Sequence, residues 1–240
     1  LVDMITDKEK TYEAVMRLGV VTDTQDMSGT VLSEVPEFQV AEEELRAVTE
    51  SFAGDYMQVP PMYSALKVNG KKLYELAREG KTVERKPRPV HFYEIEILDI
   101  DFPLVRFRVT CSKGTYIRTL CHDIGEKLGC GAAMETLLRT KVGRFTLDDA
   151  ITLAQTEEAV RNGEIEQRIL GIEEILAEYP RVCCREEGDR LLANGNPLVQ
   201  ALVNAEEKDG WIRMCNSDGS FAGVYQWDEK RNRYFPVKMF

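Results

Sequence analysis

The sequence predicts an α+β protein in which a large mixed domain is followed by a small β-rich one. Three observations carry this. Val105, Phe107, Val109 and Cys111 alternate with Arg106, Arg108 and Thr110, the period-2 pattern of a half-buried strand. After Ser112-Lys113-Gly114 the period turns helical, with Ile117, Leu120, Cys121, Ile124 and Leu128 at helix spacing and Gly129 as the stop. From about Arg181 the texture shifts to short apolar runs between turn clusters. The chain of 240 residues has room for both parts, placed at 1–178 and 179–240.

The elements follow in order. Tyr12, Ala14, Met16 and Leu18 lie on one side of a strand over residues 11–19 that ends at Gly19, after a turn at Asp7–Lys10 and before a polar loop, VTDTQDMSGTV. Leu45, Val48 and Phe52 share a face of a helix over residues 42–54, with Glu42, Glu43 and Glu44 in its first turn and Gly54 as its stop. Pro60-Pro61 enforces an extended entry to a hairpin turning at Asn69-Gly70. A short helix runs from Lys71 to Glu79 and closes at Gly80. Strands are expected over Val90–Ile100 and Leu104–Cys111, then the central helix from Tyr116. Met134, Leu137 and Leu138 predict a second helix over Ala132–Arg139, Phe145–Ala154 a turn and short helix, and the acidic stretch 155–180 further helix. In the last part, Trp211–Cys215, Phe221–Trp227 and Tyr234–Met239 read as strands.

A hydrophobic fraction of 43% suits a globular core, and no apolar run reaches the length of a membrane span. With no signal peptide in its first residues and six cysteines forming no C-x-x-C pair, the chain reads as a cytoplasmic protein with free thiols. The net charge of −10 is unevenly spread: −9 over residues 1–66, +6 over 67–144 and −7 over 145–240. Between Lys67 and Arg88 there are eight basic and three acidic side chains around Tyr74, which is a candidate phosphate-binding segment despite the acidic total.

Tyr12, Tyr116, Arg118 and Leu137 are the candidate site residues. A strand-to-helix turn points the first side chains of the helix at whatever lies above the strand end, and there an aromatic ring and a guanidinium suit a flat base and an anion. His91 and His122 have no third ligand at metal spacing, no serine or cysteine sits in a nucleophile elbow, and no glycine-rich nucleotide loop is present; Gly125, Gly129 and Gly131 read as helix punctuation. No metal-binding pattern is read from these residues.

Four blocks carry a resemblance: KTYEAVMRLGVVTDTQDMSG (10–29), PPMYSALKVNGKKLYELAREG (60–80), CSKGTYIRTLCHDIGEKLGCGAAM (111–134) and LLRTKVGRF (137–145). In order and spacing they resemble the bacterial TruB family of tRNA pseudouridine synthases, which isomerise uridine 55 in the T loop of tRNA. The last sixty or so residues are similar to the PUA-like β domain that often ends such proteins. The resemblance implies a catalytic domain built on an antiparallel mixed sheet, a flipped target base, and the T arm of tRNA as partner. It also implies no membrane, no small-molecule cofactor and a monomer when full length. Tyr12 would stack on the flipped base and accept a proton, Tyr116 would contact the nucleotide, and Leu137 would line the base pocket. Arg118 would pair with the catalytic aspartate, and Lys67, Lys71, Lys72 and Arg78 would meet RNA phosphates.

One part of the family pattern has no match. The nucleophilic aspartate lies in a Gly-Thr-Leu-Asp-Pro-type motif upstream of the KTYEA strand. Thr146-Leu147-Asp148 lacks the glycine and the proline and follows the last matching block. On this reading the chain starts inside the catalytic domain, about a quarter of a ~300-residue parent precedes it, and the residues given bind RNA only in part and do not catalyse. The rival readings are a non-catalytic RNA-binding protein on the same scaffold and a plain globular domain whose matching blocks are core packing only.

Overall fold

The computed structural model describes residues 2–6, 8–204 and 207–240, without the side chains of Asp3 and Thr6. The chain forms two compact units, Leu1–Ala150 and Ile151–Phe240.

The first unit runs through α1 (Val2–Thr6), β1 (Lys10–Leu18), β2 (Val20–Thr22), β3 (Val31–Glu34), α2 (Glu42–Glu50) and β4 (Gly54–Gln58). It continues with β5 (Lys67–Val68), β6 (Lys71–Lys72), α3 (Leu73–Arg78), β7 (Arg88–Asp101), β8 (Leu104–Cys111), α4 (Ile117–Leu128), β9 (Ala132–Val142) and β10 (Phe145–Thr146). Six strands form one antiparallel sheet in the order β10-β9-β1-β8-β7-β4. Alternation decides which face is covered. Ala14, Met16, Leu18, Val105, Phe107, Val109 and Cys111 are buried and pack against Leu45 of α2 and Leu120, Cys121 and Ile124 of α4. The uncovered face carries charge: Arg108 donates to Glu13 at 2.8 Å and to Glu96 at 2.9 Å, both its cross-strand partners.

Four expectations need correction here. Lys71-Lys72 closes the hairpin as a strand, so the short helix begins only at Leu73. Phe145-Thr146 pairs with β9 as a strand in place of the expected turn and short helix, and the next helix begins at Leu153. Residues 132–142 are a strand, not a helix. Their apolar spacing fits either, and pairing along almost all of β1 overrides local preference. The helix beginning at Glu42 ends at Ser51, and Gly54, with φ at +93°, instead opens β4.

The Asn69-Gly70 turn is as expected. Its φ values of +52° and +83° put both central residues in the left-handed region, the type I′ form that matches hairpin twist. The helix α4 starts after Tyr116 and stops at Gly129, whose φ is +75°.

The second unit opens with α5 (Leu153–Arg161), a 3-10 turn at Ile165–Arg168 and α6 (Ile172–Ile175). Then come β11 (Arg181–Cys183), α7 (Glu186–Ala193), β12 (Leu198–Val199), β13 (Trp211–Cys215), β14 (Phe221–Asp228) and β15 (Arg233–Met239). Its five strands, ordered β11-β13-β14-β15-β12, are antiparallel except for β11 against β13. Val182, Leu192, Leu198, Ile212, Tyr225 and Tyr234 form its core. The β-rich part therefore begins at Arg181, beside the expected boundary at 178/179, while the compact unit also takes in the helical stretch from Ile151. No helix among the described residues is long and apolar enough to cross a membrane.

Candidate active site

Tyr12 and the entry to α4 lie toward the same end of the six-stranded sheet, and no hydrogen bond or ion pair among the described residues joins Tyr12 to Tyr116 or Arg118. Strand β8 ends at Cys111, paired with Lys10, and Tyr12 pairs with Val109 two positions along β1. Beyond Cys111 the chain turns at Gly114 and enters α4. Tyr116 is the N-cap residue of that helix, and Arg118 and Thr119 lie in its first turn.

Arg118 is held on two sides. Its Nη1 donates to Asp26 Oδ2 at 3.0 Å, and its Nη2 donates to the carbonyl of Tyr63. The ion pair is largely enclosed, with the two side chains 20% and 17% exposed. Next to it, Thr119 Oγ1 donates to Gln25 Oε1 at 2.7 Å. Asp26 comes from the loop that the sequence shows only as polar. That loop is pinned to the start of β9, where Met27 N donates to Met134 O and Met134 N donates to Gln25 O.

Asp26 is an acceptor on both oxygens. Oδ1 receives the hydroxyl of Ser28 at 2.5 Å, the hydroxyl of Thr24 at 2.8 Å and the backbone N–H of Ser28 at 3.1 Å. Burial pushes this carboxyl up. The hydrogen bonds from Ser28, Thr24 and Arg118 together outweigh burial, and its pKa lies below the ordinary aspartate value. A depressed folded pKa stabilises above the unfolded pKa and is lost as pH falls through the folded one. Urea unfolding of wild type is therefore expected to weaken relative to Asp26→Asn as pH drops below about 4. Parallel curves for the two proteins from pH 5 to 2 would show that the carboxylate is not held this way.

Tyr12 is half-buried beside the core. Burial pushes its phenol above the ordinary value, buried Cys111 adds to this, and the Arg139 guanidinium, 6.0 Å from the ring centre, works against it. At neutral pH it is a protonated phenol, a stacking ring with a donor at its tip. Arg139 is its cross-strand partner on β9. Leu137 pairs with Ala14 on the same strands and is 43% exposed, an apolar side chain left open to solvent.

Tyr116 borders a cleft of about 400 Å³ with Gln58, Pro60, Leu66, Arg88, Lys113 and Gly114. The basic residues stand on the hairpin and helix beyond it. Lys67 and Arg78 are exposed, and Arg78 and Lys72 lie over the Tyr74 ring, each 5.3 Å from its centre. Lys72 Nζ also donates to Tyr74 Oη at 3.1 Å, and Lys71 pairs with Glu79 at 3.6 Å. Three of the four cations thus already have side-chain partners, Lys71 a carboxylate and Lys72 and Arg78 the Tyr74 ring.

Sequence reasoning missed Asp26, Arg139 and Gln58. The Thr-Asp-Thr-x-Asp spacing was a usable signal for Asp26, because such side chains bond their own loop two residues away. The other two become visible only through strand register. Gly125 also needs correction: it is not punctuation but a mid-helix contact with the start of β9. His91 lies on β7 with Nδ1 2.7 Å from Asp55, and His122 lies on α4 with its buried Nδ1 unpartnered. Among the described residues no group of His, Cys, Asp and Glu is placed to hold a metal.

Two family models match the chain consecutively: the N-terminal domain of TruB family pseudouridylate synthases over residues 1–117, and the tRNA pseudouridylate synthase B C-terminal domain over residues 118–177. The tRNA pseudouridine synthase B of Lachnoclostridium phytofermentans is 47% identical over 254 residues, covering 100% of this chain and 82% of the relative. That of Clostridium novyi is 48% identical over 225 residues, covering 93% and 76%. Among solved structures, an H/ACA RNP bound to a substrate RNA containing 2′-deoxyuridine matches with a TM-score of 0.69 at 21% identity. A Cbf5-Nop10-Gar1 complex matches with 0.70 at 22%, and both matches cover 100% of this chain and 68% of the other. At these identities the structural likeness establishes the fold, an α+β synthase architecture with a PUA-like end.

Proposed function

The chain belongs to the TruB family and is a tRNA pseudouridine synthase by class, and we propose that it serves the isomerisation of uridine 55 in the T loop of tRNA. The observation that carries this reading is the enclosed Arg118–Asp26 pair at the start of α4, two residues on from the Tyr116 that borders the cleft. A stacked uridine cannot be reached by a nucleophile, so the base must leave the stack. Tyr12 and Leu137 supply a ring and an apolar wall for it, and Tyr116 a second aromatic surface. Arg118 supplies a fixed cation for a carboxylate and for the charge that develops as the glycosidic bond breaks.

The reaction breaks the N1–C1′ bond, turns the base and joins C5 to C1′. The C5 proton then leaves, and Tyr12 accepts it in this scheme only as the phenolate, so its own proton must first pass to another base. Asp26 is not the nucleophile in it: with both oxygens already accepting hydrogen bonds, its lone pairs are committed to the loop and to Arg118. The nucleophilic carboxylate is one of the Gly-Thr-Leu-Asp type that residues 1–240 do not contain, and Asp26 keeps Arg118 extended for it.

Tritium release from tRNA labelled at uridine C5 tests this. The 240-residue chain alone is expected to give none, and supplying a segment with the aspartate motif to restore release at the T-loop uridine. Release by the chain alone would return the nucleophile to residues 1–240. No release in either form, with tRNA still bound, would favour the RNA-binding scaffold.

The basic hairpin carries the T-arm contact in this proposal, by charge and not by base reading. Replacing Lys67 and Arg78 with alanine is expected to lessen the slope of log K against log salt by about 0.7–0.9 for each phosphate no longer neutralised. Substitution of Lys71, tied to Glu79, is expected to change it less. Equal slopes for wild type and the double variant would place the RNA elsewhere.

A further inference from the structure

Helix α4 begins in an unusual way. Its N-cap residue is Tyr116, whose side chain makes no capping hydrogen bond, and its first turn holds no acidic residue. Serine, threonine, aspartate or asparagine normally fills this place, because a side-chain oxygen there satisfies a free backbone N–H. Here the position is occupied by a ring that borders the cleft, and a residue whose side chain faces a substrate cannot also cap its own helix.

The missing polar partner comes from another strand. Gln58, the last residue of β4, is 1% exposed. Its Oε1 accepts the backbone N–H of Tyr116 at 2.9 Å, and its Nε2 donates to the Tyr116 carbonyl at 3.1 Å. The same carbonyl accepts the N–H groups of Thr119 and Leu120, each at 3.1 Å, so it is also the first acceptor of the helix. One amide group therefore grips both backbone polar atoms of the residue at which the helix starts. Two bonds from one planar group fix the orientation of the two peptide groups that flank the Tyr116 Cα. Tyr116 and, two residues on, Arg118 inherit that orientation. The segment following Gln58 meets the helix again at Tyr63, whose carbonyl receives Arg118 Nη2.

We propose that Gln58 is a positioning residue for the reaction: by clamping the Tyr116 backbone it aims the Tyr116 ring and the Arg118 guanidinium at the substrate. The assignment rests on the functional reading above. Gln58 borders the same cleft, but both polar atoms of its amide are taken by the Tyr116 backbone, so its loss should act on turnover more than on RNA affinity, since tRNA is gripped mainly through phosphates elsewhere. An ångström of misplacement in a site of this kind lowers rates by up to about 100-fold.

The test uses two variants. Gln58→Met fills the same space without either hydrogen bond, and Gln58→Glu keeps the acceptor while its ionised form lacks the donor. Amide exchange at Tyr116 is read in the 240-residue chain, and kcat and KM for tRNA in the form that turns over. For Gln58→Met, unprotected Tyr116 exchange and a kcat about 100-fold lower with KM little changed are expected; Gln58→Glu should retain the amide protection and give an intermediate kcat. Wild-type kcat in Gln58→Met would overturn the proposal, as would a loss carried mainly by KM. If Gln58→Met does not fold, Gln58→Glu decides by the same kcat criterion. If no form isomerises tRNA, the functional reading fails, and unchanged Tyr116 exchange in the variants would then sink the clamp separately.

Discussion

Arg118→Ala is expected to lower turnover of tRNA by about 1,000-fold while the affinity for tRNA changes little, the size and kind of loss that follows removal of one pre-placed charge partner. The structure gives the reason. The guanidinium spans Asp26 on one side and the Tyr63 carbonyl on the other and is mostly shielded from water. It is therefore already oriented when substrate arrives. Arg118→Lys should recover little, because a single ammonium cannot serve both partners with the geometry of a planar fork. Single-turnover rates and filter-binding constants for wild type and the two variants check this. A matched fall in affinity and rate would make Arg118 an RNA-gripping residue, and a lysine variant near wild type would make its charge, not its shape, the relevant property.

The second large effect concerns stability. Gly125→Ala is expected to destabilise the first unit by about 3 kcal/mol, the upper end of the usual range for overpacking. A Cβ at this position would stand 2.1 Å from the backbone N of Ala132 and 2.3 Å from the carbonyl carbon of Gly131. Both are main-chain atoms at the entry to β9, and Gly131 N–H also donates to Gly125 O at 3.0 Å. The helix and the strand touch backbone to backbone there. Helix propensity alone pulls the other way and would make alanine better by about 1 kcal/mol. The sign of the change thus separates the two effects. Urea unfolding followed by a probe in the first unit reads it, and a more stable Gly125→Ala protein would mean that the α4–β9 joint relaxes freely. Because α4 carries Tyr116 and Arg118, the variant that folds should also turn over more slowly.

Much of this protein is legible in one dimension because local patterns coincide with the burial they predict. The alternation in 104–111, the helical spacing from Ile117, the glycine at 129, the Asn-Gly turn and the three C-terminal strands each depend on neighbours within a few residues. The four family blocks nominate Tyr12, Tyr116, Arg118 and Leu137, and the structure places Tyr12 on β1, Tyr116 and Arg118 at the start of α4 and Leu137 across from Ala14. What tertiary structure decided is everything set by partners distant in sequence. Residues 132–142 carry apolar spacing that suits a helix, and only β1 alongside makes them a strand. Asp26 is an ordinary loop aspartate until Arg118, ninety-two residues later, reaches it. Gln58 is one buried amide among many polar residues until β4 is laid against β7 and its side chain meets Tyr116. The physical reason is common to all three: a hydrogen bond or an ion pair has direction and reach of only a few ångströms, so its partner is fixed by how the sheet brings strands together and not by the sequence around either end.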